Sequence, residues 1–413
     1  MRKYKVIVAH AGQQSSFRRA EALKKGGLLY RYITTVYVKK GYLGWLKVFR
    51  VISHKEYERM TLRNCPVLED TEVIQFDILP NLMLILINRV PKLKNLYVRT
   101  NIRLSKKFAR KVARYASREN VNALIMMGAA PAKAFDELQN NNIIKVFDMT
   151  SIAYNYQSMI MERMAKKMPE EWRRHISVTS DDNIICELME NISKADHIIC
   201  TSEFAKSSLI ANNIDEKRIH VISYGLEQNK KSHNIGKPGK LSLLYVGSVS
   251  CEKGLYFLLE AVKRINSEEI ELVLVGKNYI DDKLLEPYKK WCNFIGDIPH
   301  TQVENYYLNA DVFILPTLFD SFGRVVSEAM SYGIPIISTS NAGAADYIKN
   351  GENGFVIPAG DIDSMVEKIR YFLLNRDEVK IMGKKAQTTA ESHTWEQYEV
   401  EYAEEMRRII ENG

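Results

Sequence analysis

A chain of 413 residues with 46% apolar, 26% charged and 10% aromatic side chains exceeds one core at about 100–200 residues per domain, and its apolar content excludes a disordered, fibrous or low-complexity polypeptide. It has no run of about 18 uncharged apolar residues, which excludes a membrane-spanning helix. Its net charge of +8 joins a basic stretch, 37 Lys+Arg against 22 Asp+Glu in residues 1–225, to an acidic one, 21 against 28 in 226–413, so the first half is expected to meet something anionic.

In chain order, KVIVAH (5–10) reads as a strand rather than a signal peptide. It ends in the glycine turn AGQQSS, followed by a helix through Ala20–Lys25. Further strands are expected in LLYRYITTVYV (28–38), ALIMM (123–127), IIKVFD (143–148) and HIICTS (197–202), with helices over 100–119, 131–140 and within 155–195. Apolar strands alternating with helices imply a mostly parallel sheet covered on both faces. A polar linker near 223–240, rich in Gly, Asn and Lys, precedes a second such series. That series comprises KLSLLYVGSVS (240–250), a helix over 254–265, ELVLVG, CNFIG, DVFILPT and PIIST. The reading is therefore two doubly wound α/β domains, 1–225 and 226–393, with a last helix in 394–413. Open parallel sheets bind ligands at the carboxyl ends of their strands, so a ligand is expected in the cleft between the domains. The five cysteines (Cys65, Cys186, Cys200, Cys251, Cys292) form no CxxC pair and no His/Cys cluster, as in a reduced cytoplasmic protein without structural zinc.

The densest motif is DSFGRVVSEAMSYGIP (320–335). Phe322 and Gly323 are expected to turn into a helix over Arg324–Ser331. Asp320 is then in the loop and Glu328 in the helix. Free N–H groups at that helix start suit a phosphate, and a carboxylate beside them suits sugar hydroxyls; a loop acid and a solvated glutamate are the plainer alternative. VGSVSCEKG (246–254) places Gly247 and Ser248 in a turn and Lys253 before a helix, where an ammonium can neutralise a diphosphate. NAGAAD (341–346) is a third small-residue loop, followed by the turn KNGENGF.

These segments, with FIGDIP, YYLNADVFILPT, NGENGFVIPAGD, SKADHIICTSEFAKSSLI and SHTWEQYEVEYAEEM, resemble family 4 of the retaining glycosyltransferases, and the likeness covers nearly the whole chain. The resemblance implies the GT-B fold: two Rossmann-like domains facing a central cleft, with the C-terminal helix crossing back to the first. It implies a nucleotide-sugar donor in the second domain, a glycan or lipid-linked acceptor in the first, and no metal or other cofactor. Asp320 would face the donor sugar, Lys253 the diphosphate and Glu328 the ribose. Amides of Phe322, Gly323 and Arg324 would hold phosphate or sugar. Gly12 would admit a close backbone approach, and Gly276 and Ile295 would lie near the base. Three departures stand out: Asp320 where the family usually has Glu, Ser248 where it often has Arg, and no His in FDMTSIAYNYQ (147–157). Tyr154 or Asp148 is the candidate substitute there, and His10 and Gln13 are further candidates on the acceptor side. The DID at 361–363 follows PAG and precedes a helix, so capping explains it better than metal binding.

Residues 99–118 hold eight Lys+Arg and no acid. Arg103, Lys107, Arg110, Arg114 and Arg118 share one side of a helix, and their like-charge spacing is not required by packing. Upstream, LPNLMLILINRVPKLK (79–94) is apolar and then basic, and either dips into a membrane interface or forms a buried strand or helix. An anionic membrane surface at the inner face is the expected partner, with a solvated basic face as the alternative. Nucleic acid is not expected, since no zinc pattern or aromatic platform accompanies the charge. The function expected is retaining sugar transfer. An epimerase, a phosphorylase, or a non-catalytic subunit on the same scaffold are the rivals.

Overall fold

The computed structural model describes residues 4–12, 15–39, 61–88, 90–128, 130–176, 182–229 and 239–412. Among these, thirteen strands form two parallel sheets. The first has the order β3-β2-β1-β4-β5-β6-β7, with β1 Val6–Ala9, β2 Leu29–Thr34, β3 Val73–Gln75, β4 Ala123–Met126, β5 Ile144–Asp148, β6 His197–Cys200 and β7 Ile219–Val221. The second has the order β10-β9-β8-β11-β12-β13, with β8 Leu241–Val246, β9 Ile270–Val275, β10 Cys292–Gly296, β11 Val312–Leu315, β12 Ile336–Thr339 and β13 Gly354–Ile357. Central strands are apolar on both faces because helices cover both: Val6–Ala9, Ala123–Met126 and Val312–Leu315 are buried throughout. The strand order reverses between β1 and β4, and again between β8 and β11. A crevice therefore opens at each of these two places, beyond the strands' carboxyl ends.

The expected strands are present, and three more accompany them. β3 and β7 have three residues each and lie at the sheet's edges, too short for an alternating pattern. β13 was hidden in the turn KNGENGF: the turn ends at Asn353, and Gly354 opens the strand, where a Cβ would stand 2.3 Å from the Ile336 carbonyl oxygen. The stretch 155–195 is three helices, Tyr154–Ala165, Glu170–Arg173 and Asp182–Ser193. The basic helix begins earlier than expected and runs Lys94–Glu119, and the apolar segment before it is a helix, Ile78–Ile87. Half of the expected linker, residues 230–238, lies outside the described residues.

The last helix, Trp395–Asn412, returns to the first domain and packs on helix Ser16–Lys25. Lys25 pairs with Glu399 there, and Tyr4 donates to Glu411 at 3.0 Å. Beneath this contact lies a buried ion pair. Arg19 donates through Nε and one terminal nitrogen to the Asp148 carboxylate at 2.9 and 3.0 Å, and each residue is 1% exposed. The same terminal nitrogen reaches the Tyr224 hydroxyl at 2.8 Å, and Tyr402 donates to Asp148 at 2.8 Å.

Removing one partner of such a pair strands a buried charge. Arg19→Met is expected to lower unfolding stability in urea by about 3–5 kcal/mol, with Arg19→Met/Asp148→Leu recovering a large part of that loss. The thiols give a second check. Cys65, Cys200, Cys251 and Cys292 are buried, and burial pushes each up to about 12, whereas Cys186 is exposed. Because the thiolate is the reactive form, native protein should show one fast-reacting thiol toward a disulfide reagent, and Cys186→Ser should abolish it.

Candidate functional site

At the β8/β11 crevice, backbone contacts that leave no room for a side chain bring the strand-end loops together. Gly254 begins helix Leu255–Ile265 with φ +72°, and a Cβ there would stand 1.9 Å from the Pro316 carbonyl oxygen. Gly276, at φ +142°, would meet the Gly247 carbonyl oxygen at 1.9 Å, and its N–H bonds Gly296 O at 2.9 Å. Neither conformation nor space admits an L side chain. The loops after β8, β9, β10 and β11 are thus stitched into one rim. Ser248 is exposed on it, and its carbonyl accepts from the buried Tyr245 hydroxyl at 2.5 Å. Gly276 and Ile295 line a cavity of about 280 Å³ with Val249, Asn278 and Phe294.

Lys253 and Asp320 meet on this rim. Lys253 Nζ donates to Asp320 Oδ2 at 2.5 Å, with side chains 30% and 21% exposed. Asp320 Oδ1 accepts the Phe322 N–H at 3.1 Å, and the Asp320 backbone bonds Asn341 O and Gly343 N. Gly323, at φ +86°, then starts helix Arg324–Ser331. Glu328 projects into a separate cavity of about 370 Å³, whose walls include His300, Glu304, Tyr307, Arg324 and Tyr332 but neither Lys253 nor Asp320. Tyr307 donates to Glu328 Oε2 at 2.9 Å and stacks on Tyr332 with ring centroids 5.2 Å apart. Burial and the Glu328 carboxylate push the Tyr307 phenol well up, so it stays a donor. Arg324 pairs with Glu227 at 3.2 Å.

The Asp320 loop is also clamped to the first domain, which its sequence did not reveal. Ser321 O accepts from Thr201 Oγ1 at 2.9 Å and Ser202 Oγ at 2.8 Å, and Ser321 Oγ donates to Thr150 O at 2.8 Å. The Phe322 ring lies 5.0 Å from that of Tyr224. The signal available was slight: in TSEF, Ser202 caps helix Glu203–Ile210 by accepting from Ala205 N, as serine at a helix start commonly does.

At the β1/β4 crevice, His10 is buried. Its Nδ1 accepts the Gly12 N–H at 2.8 Å, and Gly12 O accepts from Thr34. Both line a cavity of about 440 Å³ with Asn81, Tyr97, Asn101 and Gly128. Gln13 lies outside the described residues. Two expectations need correction. Asp148 does not face a ligand, because Arg19 and Tyr402 consume its carboxylate in the core. Tyr154, which could substitute with it, begins helix Tyr154–Ala165 and is half-buried. The basic stripe is not a free field either. Lys107 joins Lys111 on Asp77, Arg110 and Arg114 share Glu137, and Arg118 takes Glu119. Burial raises the Asp77 carboxyl, but hydrogen bonds from Lys111 and Lys107 outweigh it and hold it below its ordinary value. Of the five, Arg103 alone makes no ion pair among the described residues. Asp361 accepts from Ser364 N at 3.1 Å as a helix cap, and Asp363 pairs with Arg264.

Residues 227–389 match the family described as glycosyl transferases group 1. The match lies within the second α/β domain of this chain. Over 242 residues the chain is 28% identical to the capsular polysaccharide biosynthesis glycosyltransferase CapM of Staphylococcus aureus, which covers 52% of this chain and 64% of CapM. Over 164 residues it is 29% identical to the sulfoquinovosyl transferase SQD2 of Arabidopsis thaliana, covering 39% of this chain and 32% of SQD2. The chain thus spans about a third to just under two-thirds of the length of these curated relatives. The crystal structure of Anabaena Alr3699/HepE in complex with UDP superposes with a TM-score of 0.60 at 14% identity, covering 98% of this chain and 100% of that one. The fold is the two-domain GT-B architecture.

Gly276→Ala tests the stitched rim. The added methyl cannot avoid the Gly247 carbonyl, so the midpoint of thermal unfolding should fall by several degrees, about 2–4 °C for each kcal/mol lost. An unchanged midpoint would mean that the rim relaxes freely.

Proposed function

We propose that the protein transfers a sugar from a nucleoside-diphosphate sugar to a glycan or lipid-linked acceptor, with retention at the anomeric carbon and without a metal. The observation that carries this reading is the Lys253–Asp320 pair before helix Arg324–Ser331, within the residues that match the group 1 glycosyltransferase family. In this reading the nucleotide lies along the β8/β11 rim. Lys253 takes the diphosphate as a point charge, in place of the guanidinium that Ser248 does not supply. The free N–H groups at the helix start add to that field. Glu328 accepts hydrogen bonds from the ribose, oriented by Tyr307. Asp320 releases Lys253 to the phosphates and turns to the sugar's hydroxyls.

The glycosidic bond breaks as the diphosphate leaves with the bonding electrons, through an oxocarbenium-like state. The departing phosphate oxygen takes the acceptor hydroxyl's proton while the hydroxyl's own oxygen bonds to the anomeric carbon from the same face. The chain's contribution is to stabilise the leaving charge and to position the acceptor. No dedicated side-chain base is needed. The likeness to CapM favours a polysaccharide-type acceptor, and the UDP held by HepE favours a uridine donor.

Thermal stabilisation by UDP, GDP, ADP and their sugars tests the donor site, since a ligand that binds only the folded state raises the melting temperature. One nucleotide is expected to stabilise the protein without added metal. Glu328→Ala should weaken that nucleotide roughly tenfold and Tyr307→Phe about fivefold, from loss of one or two hydrogen bonds. Lys253→Ala should lower kcat more than it raises the donor KM. Nucleotide binding without turnover on any acceptor would favour the non-catalytic subunit. A nucleotide sugar converted without an acceptor would favour an epimerase.

A further inference from the structure

The exposed apolar residues of the chain are not scattered. Among the described residues, ten of the seventeen large ones lie between Ile78 and Ile102. Helix Ile78–Ile87 is two-sided. Asn81, Leu84, Ile85 and Asn88, at i, i+3, i+4 and i+7, line the 440 Å³ cavity beside His10. On the other side Leu79, Met83 and Leu86 are 74%, 64% and 59% exposed, with Leu82 next to them. Leu93, Leu96, Val98 and Ile102, at the start of helix Lys94–Glu119, extend this surface. A monomer in water rarely leaves such a patch uncovered.

Charge identifies what covers it. Residues 78–118 contain eleven Lys+Arg and no Asp or Glu. The cations of the helix's later turns are paired with acids from other elements. Lys92, Lys94, Arg99 and Arg103, which surround the apolar patch, are exposed and make no ion pair among the described residues. A second copy of the chain, docked through the same patch by two-fold symmetry, would set these cations against their own equivalents. An anionic lipid surface would accept both the apolar side chains and the cations.

We propose that helix Ile78–Ile87 and the segment Leu93–Arg103 seat the first domain on an anionic bilayer, and that the cavity beneath takes the head group of a lipid-linked acceptor. The helix then has one face in the lipid interface and the other lining the cavity. A head group's hydroxyls would meet Asn81, Asn88, Tyr97 and Asn101 there without leaving the membrane. The docking stands by itself, and the acceptor's identity rests on the transferase reading above.

Flotation of the full chain with phosphatidylcholine vesicles, with and without phosphatidylglycerol, tests the docking. Binding is expected only with phosphatidylglycerol and to fall with salt. Lys92→Glu/Arg99→Glu/Arg103→Glu should lower the partition coefficient by about two orders of magnitude, at roughly fivefold per cation removed. Leu79→Ser/Met83→Ser/Leu86→Ser should also release the protein. Unaltered nucleotide stabilisation shows that each variant is folded. Equal binding to neutral vesicles, no binding to either, or a concentration-dependent dimer lost in the serine variant would overturn the docking. For the acceptor, radiolabelled nucleotide sugars are supplied with polar-lipid vesicles. Label in the organic phase supports the lipid acceptor, and label only in water-soluble glycan overturns it while leaving the transferase reading intact. Vesicle binding by a protein that binds no nucleotide would sink the transferase reading and keep the docking.

Discussion

The buried pair between Arg19 and Asp148 holds parts of the molecule that are distant in sequence. Arg19 stands on the helix after β1, Asp148 ends β5, Tyr402 belongs to the returning C-terminal helix, and Tyr224 follows β7. Two charges removed from water are tolerable only when every strong donor and acceptor is met. Here Asp148 has both oxygens occupied, and Arg19 also reaches Ser15 O and lies over the Tyr224 ring. The last helix is therefore a structural part of the first domain. From Tyr224 the contact continues to Trp395, to the Tyr347 hydroxyl, which donates to the Tyr224 carbonyl, and to Phe322. Phe322 is two residues from Asp320. The ion pair in the first domain's core thus supports, through one layer of aromatic rings, the loop that carries the second domain's acid.

That support matters because the site is built from short-range electrostatics. Lys253 is matched by Asp320, so neither charge is left bare on the rim. A diphosphate would replace one anion by another at the same ammonium. In the proposed reaction the exchange keeps Lys253 matched, and the turn of Asp320 to the sugar frees the Phe322 N–H that its Oδ1 holds. The Lys253–Asp320 contact bridges the two loops where Gly254 lies against the Pro316 carbonyl.

Much of this was legible in residues that interact locally. The strand runs are apolar because both faces are covered, the glycine turns stand where backbone meets backbone, and Gly323 and Glu328 occupy the turn and helix that DSFGRVVSEAM implied. What sequence withheld depends on partners far along the chain. Asp148 looked available because Arg19 is 129 residues away. The stripe at Arg110 and Arg114 looked free because Glu137 arrives from another helix, and Lys107 because Asp77 ends a different loop. The clamp on Ser321 joins it to Thr150, Thr201 and Ser202 across the cleft, and no spacing rule encodes it. Short edge strands such as Val73–Gln75 carry too few residues for any period to register.

The same distinction reinterprets the charge asymmetry. An excess of cations over residues 1–225 suggests a basic surface, yet the ions sort by position once the chain is folded. Along helix Lys94–Glu119 the later turns pack against the domain, where acids from neighbouring elements reach them. At the first turns no carboxylate pairs with Lys94, Arg99 or Arg103 among the described residues. Exposed pairs of this kind stabilise little, so the paired cations owe their place mainly to packing and solubility. The unpaired ones keep their full field at the place where the apolar side chains are also uncovered. Net charge alone would have spread the anionic partner over the whole helix. Pairing confines the unmatched charge, among the described residues, to one end, beside the first domain's cavity.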